Sequence, residues 1–265
     1  MTDEQGLEAL NYASYLALDE VLNAQRPRSE EHDEMLFIVI HQVYELWFKQ
    51  LLHESVHLQA QLEAGQGPRA LQTMRRILAI LRTVVAQLDV LETLTPVQYT
   101  GFRDRLETAS GFQSAQFRQL EAVFGRRDRA VLDAYAPDSA ERERIEVAMA
   151  RPTLFDSFLS YLAALGFDVP TDLLDRDVTV KLEPSDAVQE LLVDVYKQEG
   201  EAAQVAERLV DIDEGIQAWR YQHVKMVERT IGDKPGTGGS TGASYLRQTL
   251  FTPAFPDLWA VRSRL

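Results

Sequence analysis

An all-α fold is predicted by three observations. Apolar residues recur at three- and four-residue spacing over long stretches, turn-forming residues fall between those stretches, and strand-like alternation is nearly absent. In the stretch that ends WRYQHVKMVERTIG, the stripe steps from Leu209 through Ile212, Ile216 and Trp219 to Met226, and His223 lies within it. A buried imidazole must satisfy its ring nitrogens or it costs stability, so His223 needs an interior partner. That partner is either a backbone carbonyl or a metal or haem iron. Size and composition fit one globular domain, 1–265, with 26% charged and 45% hydrophobic residues. No apolar run is long enough to span a bilayer. The absence of cysteine removes disulfides, thiolate zinc and thiolate-ligated or covalently attached haem, which leaves histidines and carboxylates for any metal. A net charge of -14 opposes binding to nucleic acid or to an anionic membrane surface. MTDEQGLEAL has neither the basic start nor the apolar core of a secretory signal, which points to the cytoplasm.

Taken in order, NYASYLALDEVLNAQRP carries a short amphipathic turn or helix stopped by Pro27, with Tyr12 and Tyr15 at its start. Ser29 is expected to cap the next helix, with Glu30, Glu31 and Asp33 set against the positive end of its dipole. That helix is long. Leu36, Phe37, Ile40, Tyr44, Trp47 and Phe48 form its apolar band, and His41 borders it one turn after Phe37. Further along, His53-Glu54-Ser55-Val56-His57 matches the H-E-x-x-H zinc-protease pattern letter for letter, but no third-ligand pattern follows it. Gly65, Gly67 and Pro68 open another helix through Leu71, Met74, Leu78, Leu81, Val85 and Leu88. Thr95-Pro96 reads as N-cap and first residue of the next, which holds Tyr99, Phe102 and Arg103 ahead of the loop Thr108-Ala109-Ser110-Gly111. A guanidinium there offers a planar fork suited to a carboxylate. From Phe112 to Gly166 the pattern stays helical, with breaks at Gly125, Pro137 and Pro152. Within it AERERIEVAMARP is read as a solvated face and connector. A loop over 168–186 leads to a helix with Val188, Leu191, Leu192 and Val195. The His223 helix ends at Gly232, a natural C-cap, and the glycine-rich 234–242 that follows is suited to a lid with Thr237 as its hydroxyl donor.

Four blocks carry a resemblance over nearly the whole chain. YLALDEVLNAQRP with HDEMLFIVIHQVYELWFKQ, then GFRDRLETASGFQSAQFRQLE, WRYQHVKMVERTIG and KPGTGGSTGASYL resemble, in order, the tryptophan 2,3-dioxygenase family. The resemblance implies a helical-bundle haem protein that opens the indole ring of L-tryptophan with dioxygen to give N-formyl-L-kynurenine. By the same resemblance His223 is the axial ligand of haem b, whose iron is iron(II) in the active form. His41 matches the distal histidine that accepts the indole N–H, and Phe37 packs against the indole. Arg103, with Tyr99 beside it, matches the clamp on the substrate carboxylate, and Ser110 a distal-pocket serine. Thr237, with Gly236 and Gly238, matches the loop that closes on the amino-acid head group. Tyr12 and Tyr15 match tyrosines that reach into a neighbouring subunit's pocket, so a homotetramer is implied, a dimer of dimers in which the N-terminal segment serves another subunit. The resemblance also sets HESVH aside as a metal site. Thr241 in GSTG, Asp233 and Leu88 depart from the family's usual residues. Haem enzymes of the same superfamily insert a single oxygen atom into tyrosine or a substituted tryptophan, and fold alone does not separate the two outcomes.

Overall fold

The computed structural model describes residues 10–237 and 242–265, so Gly238 and Thr241 of the expected lid lie outside the described residues. The described chain contains no strand and runs through α1 (Tyr12–Tyr15), α2 (Leu18–Leu22), α3 (Glu34–Glu63), α4 (Gly67–Leu91), α5 (Pro96–Arg103), α6 (Ala115–Val123) and α7 (Ala140–Met149). It continues through α8 (Leu154–Ala164), α9 (Thr171–Leu174), α10 (Asp186–Lys197), α11 (Glu201–Ile231), α12 (Ala243–Arg247) and α13 (Pro256–Ala260). Among the described residues no helix is long and apolar enough to cross a membrane.

The predicted stripes become one core. α4 packs against both α3 and α11, and its facing residues are sealed. Leu58 and Leu62 of α3, Met74 and Ile77 of α4, and Leu209 and Ile212 of α11 are all fully buried. Each such side chain contributes about 1.5–3 kcal/mol by leaving water. α8 covers the far end of α3 with Phe158, Leu159 and Leu162, and α6 lies along α3 with α7 packed behind it. The expectation that AERERIEVAMARP is a solvated connector holds only for its charged face, because Ile145 and Met149 close a second apolar cluster with Val131 and Leu132.

Ser29 does not cap α3. The helix starts five residues later, after Asp33, which makes no side-chain cap. The reason is Glu34, which is buried and whose carboxylate accepts the N–H groups of Arg28 and Ser29 at 2.8 Å and the Ser29 hydroxyl at 2.5 Å. Ser29 is spent on holding that carboxylate, and the preceding chain is folded back onto the helix start. Thr95 does behave as expected. It forms a reciprocal capping box with Gln98, the Thr95 hydroxyl oxygen accepting Gln98 N–H at 3.3 Å, and Pro96 opens α5. α11 ends at Gly232, whose φ of 61° suits glycine.

The connections place one end of the bundle under construction by several elements at once. α3 begins where α4 and α11 finish, and Arg229 near the end of α11 pairs with Glu92 just beyond α4. Asp213, fully buried in α11, accepts Phe255 N–H at 3.0 Å and the Trp259 indole N–H at 2.9 Å, drawing the C-terminal segment across α11.

Candidate functional site

At that end a cavity of ≈ 230 Å³ opens between α3, α4, α11 and the 108–114 loop. His41 comes from the second turn of α3 and His223 from the last third of α11, and both line it. His41 Nδ1 lies 2.7 Å from the Phe37 carbonyl oxygen. A carbonyl only accepts, so Nδ1 carries the proton. Burial pushes the His41 pKa down, which keeps the ring neutral and leaves Nε2 as a bare acceptor. Burial likewise pushes His223 down, to about 4, with the His41 ring adding a smaller effect in the same direction. Its ring stacks on Trp219 at 5.0 Å between centroids, and no hydrogen bond from a described residue engages its nitrogens.

That observation bears on the partners expected for His223. No backbone carbonyl takes the imidazole, and a neutral ring with an uncommitted nitrogen on an apolar wall is the form a metal requires. Phe48, Leu88, Leu91, Val224 and Val227 supply that wall. The donor set therefore fits a flat, largely apolar cofactor whose metal takes one imidazole. HESVH has no such geometry. His53 and His57 are exposed, His57 Nε2 accepts from the Gln61 amide at 2.8 Å, and buried Glu54 is held by Arg76 at 3.0 Å and by Gln50. Among the described residues there is no cluster of three or more potential metal ligands.

Facing the histidines is an aromatic wall. Phe37 lies 4.1 Å from the His41 ring, 5.9 Å from Tyr99 and 5.5 Å from fully buried Phe102, all between centroids. Burial raises the Tyr99 pKa, opposed by Arg103, so the phenol stays protonated and can donate. Ser110 lines the cavity, its hydroxyl oxygen accepting Phe112 N–H at 3.3 Å. Gly236 and Thr237 line it from the other side, and the Thr237 hydroxyl donates to the Ala109 carbonyl at 2.6 Å.

Two expected groups lie elsewhere. Arg103 faces an adjoining polar groove with Thr100, Asp104, Glu107 and Lys234, and its Nη2 donates to the Pro235 carbonyl at 2.5 Å. Thr237 borders both spaces, so Arg103 stands at the cavity mouth under the loop. Tyr12 and Tyr15 are 76% and 72% exposed and do not line this chain's cavity.

Sequence reasoning missed a charged cluster on the cavity wall. Buried Glu121 accepts Arg118 at 2.6 Å and Arg126 at 2.9 Å, with Arg220 at 3.7 Å. Arg118 is itself buried, with its guanidinium 4.6 Å from the Phe112 ring centre. Burial pulls the Arg220 pKa down from the ordinary guanidinium range, partly offset by Glu121. Asp128 also pairs with Arg126, at 3.3 Å. Three guanidiniums thus gather around Glu121, with Asp128 on Arg126 and Asp213 acting on Arg220, as an ion-paired cluster at the cavity. The available signal was Arg118 and Glu121 one turn apart beside apolar Phe117 and Leu120.

The chain's relatives agree on one family. The family model described as tryptophan 2,3-dioxygenase matches residues 2–164 and 185–265. A protein named tryptophan 2,3-dioxygenase from Anaeromyxobacter sp. (strain K) is 64% identical over 266 residues, covering 100% of both chains. Proteins of the same name from Herpetosiphon aurantiacus and Caulobacter vibrioides are 56% and 42% identical. Each match covers 97% of this chain, and 99% and 98% of the relatives respectively.

Proposed function

Because the chain belongs to the tryptophan 2,3-dioxygenase family, we propose that it oxidises L-tryptophan with dioxygen, opening the indole C2–C3 bond to give N-formyl-L-kynurenine. The observation that carries this reading is the pair of neutral imidazoles on one apolar cavity, one with an uncommitted nitrogen and the other presenting a bare acceptor. In this reading His223 would hold the iron of haem b, in the cavity that Phe48, Leu88 and Leu91 also line. The Arg118, Arg126 and Arg220 guanidiniums on the cavity lining would suit the cofactor's carboxylates. When bound as iron(II), haem supplies the one-electron chemistry that lets dioxygen react with a closed-shell ring.

The protein's own part is to bind and orient the amino acid and to keep water out. His41 Nε2 accepts the indole N–H, and because Phe37 fixes the other nitrogen, the ring cannot turn to offer a donor. Phe37, backed by Phe102 and Tyr99, gives the flat indole an aromatic wall. Arg103, steadied through Nη2 by the Pro235 carbonyl, takes the α-carboxylate at the mouth with its other N–H groups, with Ser110, Gly236 and Thr237 around the head group. Tyr12 and Tyr15, unused by their own cavity, complete the pocket of a neighbouring subunit in a homotetramer built as a dimer of dimers. All 265 residues act as one catalytic domain.

The deciding experiment is mass spectrometry of the product formed from L-tryptophan by the haem-loaded protein under labelled dioxygen. Two labelled atoms in N-formyl-L-kynurenine are expected. One labelled atom in a hydroxylated or oxindole product would replace ring opening by single-atom insertion, and no turnover would sink both.

A further inference from the structure

The loop that leaves α11 and returns at α12 has a neck, and its contact point is Gly242. That residue has φ +64°, and a Cβ built on it would lie 2.6 Å from the Lys234 carbonyl oxygen and 3.6 Å from Gly236 N. Real Cβ atoms do not approach oxygen so closely, so one limb of the neck would have to move. The return limb has a firm footing. Gly242 leads directly into α12, and Arg247 of α12 pairs with Glu228 of α11 at 2.7 Å. The outgoing limb is tied to α11 by Lys234 N–H on the Ile231 carbonyl at 3.3 Å and to α12 by Asp233 with Arg247 at 3.8 Å, and past Lys234 it reaches the site. The Pro235 carbonyl accepts from Arg103 at 2.5 Å, and the Thr237 hydroxyl donates to the Ala109 carbonyl at 2.6 Å. The Lys234 carbonyl belongs to the peptide that leads directly into Pro235, so a push from Gly242 acts on the backbone that carries those two hydrogen bonds.

We propose that Gly242 is a positioning residue for recognition of the substrate head group. The missing Cβ lets the Lys234 carbonyl rest against the return limb, and that contact sets Pro235 over Arg103 and Thr237 on the cavity rim. The inference rests on the function proposed above. It adds that the carboxylate clamp and the loop are set by one backbone contact outside the aromatic wall that holds the indole.

The test uses haem-loaded protein without dioxygen and follows ligand binding by the Soret band. Two ligands are compared: L-tryptophan, and 3-methylindole, which has the ring and no head group. In Gly242→Ala the Kd for L-tryptophan is expected to rise about tenfold or more, the scale of one charge-assisted hydrogen bond. The Kd for 3-methylindole is expected to stay within about twofold, a difference too small to count as a lost hydrogen bond. Gly242→Asn separates the two reasons for glycine, since asparagine accepts a positive φ but still carries a Cβ. It should lose L-tryptophan affinity as Gly242→Ala does. Full affinity in Gly242→Asn would reduce the role of Gly242 to backbone conformation and overturn the neck contact. Equal weakening of both ligands would mean that the Cβ simply obstructs the cavity, and overturns it too. Loss of helicity or haem in both variants would assign Gly242 to the fold instead. If the unsubstituted protein fails to take up haem or to bind L-tryptophan, the proposed function falls and not this inference alone.

Discussion

His41 can be assigned a role by magnitude. A general base removed from an enzyme lowers the rate by ~10²–10⁴, whereas a neutral orienting hydrogen bond contributes about 1 kcal/mol, roughly fivefold. Its Nδ1–H is committed to the Phe37 carbonyl and burial holds its pKa down, so it orients a donor and takes up a proton poorly. His41→Ala should therefore lower kcat/KM for L-tryptophan by about five- to tenfold, the range of one lost hydrogen bond with its partner unpaired. A loss beyond a thousandfold, with haem and tryptophan still bound, would make it a base. Both histidines also set an acid limit on the haem-free protein. Their folded pKa values are depressed, to about 4 for His223, so below their ordinary value of 6.5 the unfolded chain takes up protons that the folded chain refuses. Stability should fall as pH drops from 6.5 toward 4. Asp156 and Glu34 also have lowered values, but their carboxylates start from 3.8 and 4.5 and lose their contribution lower down. Urea midpoints of the apo protein at pH 7 and pH 5 should differ by more than those of His223→Leu, and equal differences would refute the assignment. His223, His41 and Phe37 were legible in the sequence because a polar ring on an apolar stripe is conspicuous at helical spacing. Arg118, Glu121 and Arg220 were not, because charges on a helix ordinarily read as a solvated face, and only the packing of α6 on α3 and of Arg220 beside Glu121 turns them inward.

Among the elements, local signals were reliable where the chain satisfies itself locally. The Thr95 box and the Gly232 cap are such cases. Ser29 misled because its partner, Glu34, is a buried carboxylate whose need for donors outweighs a helix cap, and a sequence window does not show burial. The 165–184 stretch, which the family model passes over, is a sharper case. It reads as loop, yet Arg176 fastens it to α8 by two hydrogen bonds to Asp156, at 2.7 and 2.8 Å, between side chains only 11% and 10% exposed. Arg127 adds a bond to the Val178 carbonyl at 2.8 Å. Asp156 also holds the Thr153 end of α8 and feels the Arg127 charge, so its carboxylate would lose its directly bonded cation but not all of its donors if Arg176 were removed. Arg176→Ala should then destabilise by about 2–3 kcal/mol, somewhat below the usual result of breaking a buried pair. At roughly 2–4 °C per kcal/mol for a chain of this size, Tm should fall by several degrees. Turnover of L-tryptophan should not change, since neither residue lines the cavity. A changed KM with an unchanged Tm would show that the segment serves the site.

The whole molecule leaves its first elements without a core of their own. α1 and α2 bury no residue, and Leu10, Tyr12, Tyr15 and Leu22 are each more than two-thirds exposed. Apolar side chains gathered on one end of a chain, away from its own cavity, make physical sense when another copy covers them. If the tyrosines complete a neighbour's pocket, the defect they cause must travel between subunits, and subunit mixing reads this directly. Take one variant with Tyr12→Ser and Tyr15→Ser and a second with Arg103→Ala, each expected to be nearly inactive alone. In a pair assembled from both, the first subunit keeps its own Arg103 and receives intact tyrosines from the second, so that site is whole. The other site lacks both and stays dead. Co-expression should therefore restore activity that neither variant has, approaching half of that expected for unsubstituted pairs in the mixed assemblies. If instead each N-terminal segment folds over its own cavity, every site in every mixture carries one defect, and mixing restores nothing. Steady-state turnover of the co-purified mixture, against the two variants purified separately and combined without exchange, distinguishes these outcomes.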